Sequence, residues 1–251
     1  MTKTVLVTGA TSGIGKAIAE KFAQNGYNIV VTGRRAQRLQ ELKEQLENSG
    51  ASCMALPFDI RSRKACEEAI AGLPDAWKLI DILVNNAGGA WGRDRLDLAN
   101  IDDWDTMLDT NVKGLAYMTK AVVPGMIEHK SGHIINIGSI AGKEVYENGN
   151  MYCAAKFAVE ALSKSMRVDL LPFGIRVTHV APGAVETEFS MVRFKGDTEK
   201  AAAVYKGYQP LKPEDIADIV YYTAALPPHV CINDIVVTPT AQANSYALFR
   251  Q

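Results

Sequence analysis

The sequence predicts a single α/β domain, with helices on both faces of a doubly wound, mostly parallel seven-stranded sheet. Short apolar runs alternate with stretches of helical periodicity along all 251 residues. Several of those runs are apolar without polar alternation, as strands covered on both faces must be. No Gly/Pro/Ser-rich linker, charge block or internal repeat divides the chain, so residues 1–251 are expected to form one domain.

The predicted strands are 5–7, 28–31, 52–56, 80–84, 133–137, 176–180 and 234–238. Between them, 15–25, 36–49, 63–71, 104–128, 151–171 and 213–225 carry helical spacing. Residues 183–207 break the rhythm directly after the sixth strand. Ligands of an open α/β sheet bind beyond the carboxyl ends of its strands, so 184–207 is expected to be a substrate lid.

Composition excludes several function classes. Twenty-seven Lys and Arg against 28 Asp and Glu give a net charge of -1, with no basic surplus to draw in nucleic acid or an anionic membrane. No apolar run approaches a bilayer span, and the first strand begins too early for a cleavable leader. Cys53, Cys66, Cys153 and Cys231 form no CxxC pair, and His129 and His133 flank the helix-ending Ser131-Gly132. Neither a disulfide framework nor a metal site is expected, and a reducing, cytoplasmic setting fits best.

Thr8-Gly9-Ala10-Thr11-Ser12-Gly13-Ile14-Gly15 follows the first strand and opens the first helix. Glycines there permit a tight turn and let backbone amides approach a pyrophosphate at a helix N-terminus. This placement makes the fold Rossmann-type; a purely structural turn is the competing reading. The end of the second strand selects the dinucleotide. An NAD site places a carboxylate there for the ribose hydroxyls. Thr32-Gly33-Arg34-Arg35, with Arg38 one helical step on, instead offers guanidinium groups to a 2′-phosphate. NADP is therefore expected, held by Gly9, Ser12, Gly13, Ile14, Gly15, Arg34, Arg35 and Arg38, with Arg34 leading and the Ser12 hydroxyl helping. Solvated surface arginines are the alternative. Asp59-Ile60 closes the third strand and is assigned to the adenine amino edge. Asn85-Asn86-Ala87-Gly88-Gly89 closes the fourth, where small residues permit close approach to the cofactor.

Tyr152 and Lys156 are four apart at the start of a helical stretch, so they share one face. A tyrosine titrates near 10 and needs help to accept an alcohol proton around neutrality; a nearby ammonium favours the phenolate. Ser139, just past a strand, places a hydroxyl where a substrate oxygen would change its charge. Taken singly, a Tyr–Lys pair is also an ordinary helix-surface feature and such a serine an ordinary cap.

Taken together and in order, Thr8–Gly15, Asp59, Asn85-Asn86-Ala87-Gly88, Asn111, Ser139, Tyr152-Cys153-Ala154-Ala155-Lys156 and Pro182-Gly183 resemble the short-chain dehydrogenase/reductase family over essentially the whole chain. The resemblance implies Tyr152 as acid/base, with Lys156 lowering its pKa and gripping the nicotinamide ribose. It implies Ser139 orienting the substrate oxygen and Asn111 holding a proton-relay water near Lys156. Pro182, Gly183, Val185 and Thr187 match the segment that packs around nicotinamide. Asn85, Ala87 and Gly88 are carried over with the cofactor-binding set.

Residues 185–190 and 192–197 resemble the lid of an NADP-dependent 3-hydroxy acid dehydrogenase subgroup that includes serine 3-dehydrogenases and malonic semialdehyde reductases. The implied partner is a short 3-hydroxy or 3-oxo acid. Arg193 and Lys195 alternate with Val192 and Phe194 and would share a face in an extended segment, where one cation pairs with the substrate carboxylate. Arg193 is assigned that role. The enzyme alternative is a 3-oxoacyl-thioester or sugar/polyol reductase, and the non-enzyme alternative is an NADP-sensing scaffold. In the family, the helices matching 104–128 and 151–171 build subunit contacts. The implied assembly is a homotetramer, with the apolar tail 246–249 held by a neighbour.

Overall fold

The computed structural model describes residues 2–251. Seven strands, β1 Thr4–Thr8, β2 Asn28–Gly33, β3 Cys53–Pro57, β4 Ile82–Asn85, β5 Gly132–Ile137, β6 Ile175–Pro182 and β7 Asp234–Val237, form one sheet in the order β3-β2-β1-β4-β5-β6-β7. Each of the six pairings is parallel, so the sheet is fully parallel where a mostly parallel one was expected. Strand positions differ from the sequence reading by one or two residues at most ends, the usual uncertainty of element boundaries.

Strand β1 shows why alternation is missing from the sequence. Val5 and Val7 enter a core with α1 Gly13–Gln24, α2 Ala36–Asn48 and α8 Pro213–Ala225. Leu6 enters the opposite core, with α3 Arg63–Ala71, α5 Leu115–Glu128 and the end of α6 Asn150–Leu170. All three side chains are fully buried, which an apolar residue at every position achieves. The order reverses at β1 and β4, so the loops leaving these strands diverge and open a crevice at their carboxyl ends.

The helix predicted over 104–128 is interrupted. Helix α4, Ile101–Leu108, starts after Asn100, whose side chain accepts from the Asp102 amide, with Asp102 and Asp103 in the first turn. A wider π-helical turn, Asp109–Gly114, then separates it from α5. Such turns carry one extra residue per turn, hidden from a 3.6-residue periodicity count. The turn buries Asn111, whose amide donates to the Met107 and Gly89 carbonyls while its Oδ1 accepts from the Gly89 amide. It thereby fixes the Gly88-Gly89 loop beyond β4.

Candidate active site

One cavity of about 950 Å³ runs along the crevice. At its nucleotide end, Gly9 and Gly13 adopt φ of +67° and +53°, which favours glycine. A Cβ on Gly9 would come within 2.8 Å of Ala87 Cα, so the two loops touch through backbone alone. Gly15 does not line the cavity; a side chain there would strike the Asn86 amide and the Gly9 carbonyl. Its role is close packing of α1 on the turn. The Thr8 hydroxyl accepts from the Asn86 and Ala87 amides, and Asn86 Nδ2 donates to the Thr8 carbonyl. Ser12, Ile14, Arg34, Ile60, Gly88, Pro182, Gly183, Val185 and Thr187 all face the same space.

The arginines divide. Arg35 donates to Thr11 Oγ1 at 3.0 and 2.6 Å, to Ser12 Oγ at 2.8 Å and to Glu188 at 2.8 Å. Arg38 does not line this main cavity and donates to both Glu188 oxygens at 2.7 and 3.0 Å. Hydrogen bonding by Arg35, then Arg38, holds the Glu188 carboxyl below its ordinary value. The sequence reading gave all three arginines to a phosphate; the structure commits two of them to Glu188, whose single carboxylate reaches both. Arg34 lines the cavity, and among the described residues no carboxylate pairs with it. Asp59 also lines the cavity, with its carboxylate held low by hydrogen bonds from Arg61.

Asn85 corrects the sequence reading. Its side chain is buried, donating to Thr119 Oγ1 and Asn136 Oδ1 at 2.9 Å each, and does not line the cavity. As the last residue of β4 it faces the helix layer, and the following residues turn toward the crevice. Asn111 likewise sits behind the cavity wall, near Gly88 and Lys156, with both amide protons engaged by backbone carbonyls.

At the chemical end, Tyr152 and Lys156 lie on the first turns of α6 and Ser139 follows β5; all three line the cavity. Ser139 Oγ accepts from the Ala141 amide, and Lys156 Nζ donates to the Ile137 carbonyl at 3.1 Å. Burial pushes the Tyr152 phenol up and the nearby Tyr146 adds to this, while the Ser139 hydroxyl and the Arg193 guanidinium pull against it. Burial also pushes Lys156 down, to about 8. The sequence reading expected the ammonium to lower the phenol. In the folded chain desolvation is the larger effect on both groups, disfavouring phenolate and ammonium alike.

Residues 189–193 form a short helix, α7 Phe189–Arg193, in place of the expected extended segment. The excursion that carries it is zipped at its base, where Glu186 donates to the Leu211 carbonyl and Leu211 to the Ala184 carbonyl. Helical geometry separates the two lid cations. Lys195, just past α7 at φ +53°, pairs with Asp103 at 2.8 Å. The Arg193 guanidinium lies 5.5 Å from the Tyr152 ring centroid and 5.4 Å from that of Tyr146. Phe189 packs on Tyr152 with ring centroids 5.6 Å apart.

Sequence reasoning missed Arg93, Tyr146 and the role of Glu188. Tyr146 precedes Tyr152 by six residues in a loop with no periodicity to mark it, and the partners of Glu188 stand 150 and 153 residues away. The two flanking histidines are unrelated: His133 is buried against Thr178, and burial pushes it down to about 3. The tail is tied to its own chain through Ser245, which donates to Glu144 and the Ile140 carbonyl, while Tyr246 and Phe249 stay exposed. Among the described residues, no helix is long and apolar enough to cross a membrane.

The family profile described as short chain dehydrogenase matches residues 3–198. The NADP-dependent 3-hydroxy acid dehydrogenase YdfG of Salmonella typhi is 50% identical over 240 residues, 95% of this chain and 96% of that protein. Sulfoacetaldehyde reductase 2 of Chromohalobacter salexigens is 44% identical, over 97% and 96% of the two chains. Among solved structures, the closed form of a serine dehydrogenase complexed with NADP+ superposes with a TM-score of 0.92 at 48% identity, covering 99% of this chain and 100% of the other.

Proposed function

Because the chain belongs to the short chain dehydrogenase family, we propose that it is an NADP-dependent oxidoreductase acting at the 3-position of a short 3-hydroxy or 3-oxo acid. The carrying observation is Arg193, whose guanidinium stands over the Tyr152 ring without a carboxylate partner among the described residues. A cation at the acid/base suits a substrate whose carboxylate lies two carbons from its reacting oxygen.

Bound NADP supplies the nicotinamide that accepts or returns hydride. The residues present fit it: a glycine turn whose backbone has no room for side chains, then Arg34 as an uncommitted cation for the 2′-phosphate. Asp59 and Ile60 border the adenine end; Pro182, Gly183, Val185 and Thr187 border the nicotinamide end. Tyr152 takes the hydroxyl proton in oxidation and returns it in reduction. Ser139 orients the substrate oxygen, Lys156 grips the nicotinamide ribose, and Asn111 holds the proton relay at Lys156 together with the Gly88-Gly89 loop. Residues 184–207 are the lid over this site.

A panel assay tests the reading by following NADPH absorbance with serine, allo-threonine, 3-hydroxybutyrate, 3-hydroxyisobutyrate, malonic semialdehyde, acyl thioesters and neutral polyols. Activity confined to free 3-hydroxy or 3-oxo acids is expected. Activity on thioesters or polyols alone assigns the site to those reactions instead, and no hydride transfer across the panel leaves an NADP sensor. The proposed assembly is a homotetramer, which would cover exposed Val168, Leu171, Tyr222 and Val236. Light scattering coupled to size exclusion reads it directly.

A further inference from the structure

Outward from Tyr152, cations and rings alternate along one cavity wall. Arg193 lies over both Tyr152 and Tyr146, and the Arg93 guanidinium lies 5.5 Å from the Tyr146 ring centroid. Both arginines and both tyrosines line the cavity. Two cations on one ring repel each other, yet among the described residues no carboxylate pairs with either. Elsewhere around the cavity the chain supplies such partners: Glu188 to Arg35, and Asp59 to Arg61.

The arrangement is held from both sides. The Gly92 amide donates to the Arg193 carbonyl at 2.9 Å, and Arg193 Nε donates back to the Gly92 carbonyl at 3.4 Å. Asn150, the first residue of α6, donates through Nδ2 to the Asp94 carbonyl at 2.9 Å. Arg93 is thus bracketed by two pinned neighbours, one tied to α7 and one to the helix that carries Tyr152. Between the two cations the Tyr146 hydroxyl is buried and makes no well-formed hydrogen bond.

A single carboxylate at Arg193 leaves Arg93 uncompensated, one ring further from the reacting carbon. We infer that Arg93, Tyr146 and Arg193 form a two-position anion track, and that the substrate is a short 3-hydroxy or 3-oxo acid carrying a second anionic group, a 3-hydroxy dicarboxylate. This rests on the reading of Tyr152 and Arg193 given above. Arg193 takes the carboxylate one methylene from the reacting carbon, and Arg93 takes the distal one. Bond changes remain those of the parent reaction: hydride leaves the carbinol carbon, Tyr152 takes the hydroxyl proton, and both carboxylates stay intact.

The test compares 3-hydroxyadipate with 3-hydroxyhexanoate, which differ by a carboxylate in place of a terminal methyl. The wild type is expected to favour the dicarboxylate by about tenfold or more in kcat/KM, the scale of one charge-assisted contact. Arg93→Ala should bring the ratio of the two values close to one, and Arg93→Lys should retain part of the preference, as a point charge without the planar fork. Arg93 is exposed, so thermal melting is expected to show both variants folded like the wild type. No preference for the dicarboxylate, or one that survives Arg93→Ala, overturns the track while leaving the monoacid reading intact. Absence of turnover with both compounds, together with failure across the free-acid panel, overturns the underlying reading and the track with it.

Discussion

Two groups of arginines stand at the two ends of the crevice, and the fold treats them oppositely. At the nucleotide end, Arg35 and Arg38 share the single Glu188 carboxylate, which offsets one of their two charges, and Arg34 has no carboxylate. At the chemical end, Arg193 and Arg93 rest on aromatic faces and receive no carboxylate from the described chain. A guanidinium on a ring keeps N–H groups available for an anion, even with Arg193 giving Nε to the Gly92 carbonyl, whereas one gripped by a carboxylate has committed its fork. The difference separates arginines that hold the protein together from arginines that wait for an anion. It also shows why counting cationic residues in a sequence does not separate the two roles.

The largest effect that sharpens this contrast removes the proton-transfer group alone. Tyr152→Phe is expected to lower turnover by about 10²–10⁴. NADPH binding, read by fluorescence titration, should change little, because the nucleotide end is built on other residues. Near-wild-type turnover would end the assignment of the acid/base.

Next is Arg193→Ala. With a free 3-hydroxy acid, kcat/KM should fall by about 10–100-fold, the cost of one charge-assisted pair, against a small change with a neutral alcohol. A pH signature accompanies it. Arg193 pulls the Tyr152 phenol down against burial, so its removal raises that pKa, and the ascending, acid-side limb of alcohol oxidation should move to higher pH. An unmoved limb with equal losses on acid and alcohol would mean that Arg193 only fixes the lid.

The legibility of these ends in the sequence differs for the same physical reason. Local signals carried the fold: doubly buried strands read as apolar runs, and the glycine turn after β1 stands where a pyrophosphate needs backbone. Tyr152 and Lys156 were legible because a helix converts a spacing of four into contact. What failed was any feature made by long-range pairing. Asn85 looked like a cofactor residue until Thr119 and Asn136 were seen to hold it. Arg38 was read as a free cation for a phosphate, and Glu188, reaching it from across the chain, could not be foreseen. Burial, too, works against a local inference: desolvation raises the Tyr152 phenol, and the groups that pull against it are the Ser139 hydroxyl and the Arg193 guanidinium.

At the nucleotide end, Arg34→Asp should raise KM for NADP about 10–100-fold more than KM for NAD, since a carboxylate repels the 2′-phosphate and suits ribose hydroxyls. Equal increases would place the 2′-phosphate elsewhere and dissolve the contrast between Arg34 and its paired neighbours.

The smallest predicted effect tests the pairing itself. Glu188 and its two arginines are all more than 40% exposed on their side chains, so each ion pair contributes at most about 1 kcal/mol. Glu188→Gln removes a negative charge from the arginines and loosens the tie between the start of α7 and α2. The two consequences have opposite signs. KM for NADP should fall up to about fivefold, because Arg35 and Arg38 regain charge for a phosphate. KM for the acid should rise by a similar factor, because α7 carries Arg193. The carboxyl titrates below its ordinary value, so both changes should hold constant from pH 6 to pH 9. High salt should shrink the first by screening the phosphate and leave the second, which is a matter of lid position. Parallel movement of both constants would show that Glu188 acts on the lid alone, and that Arg35 and Arg38 belong with the structural arginines.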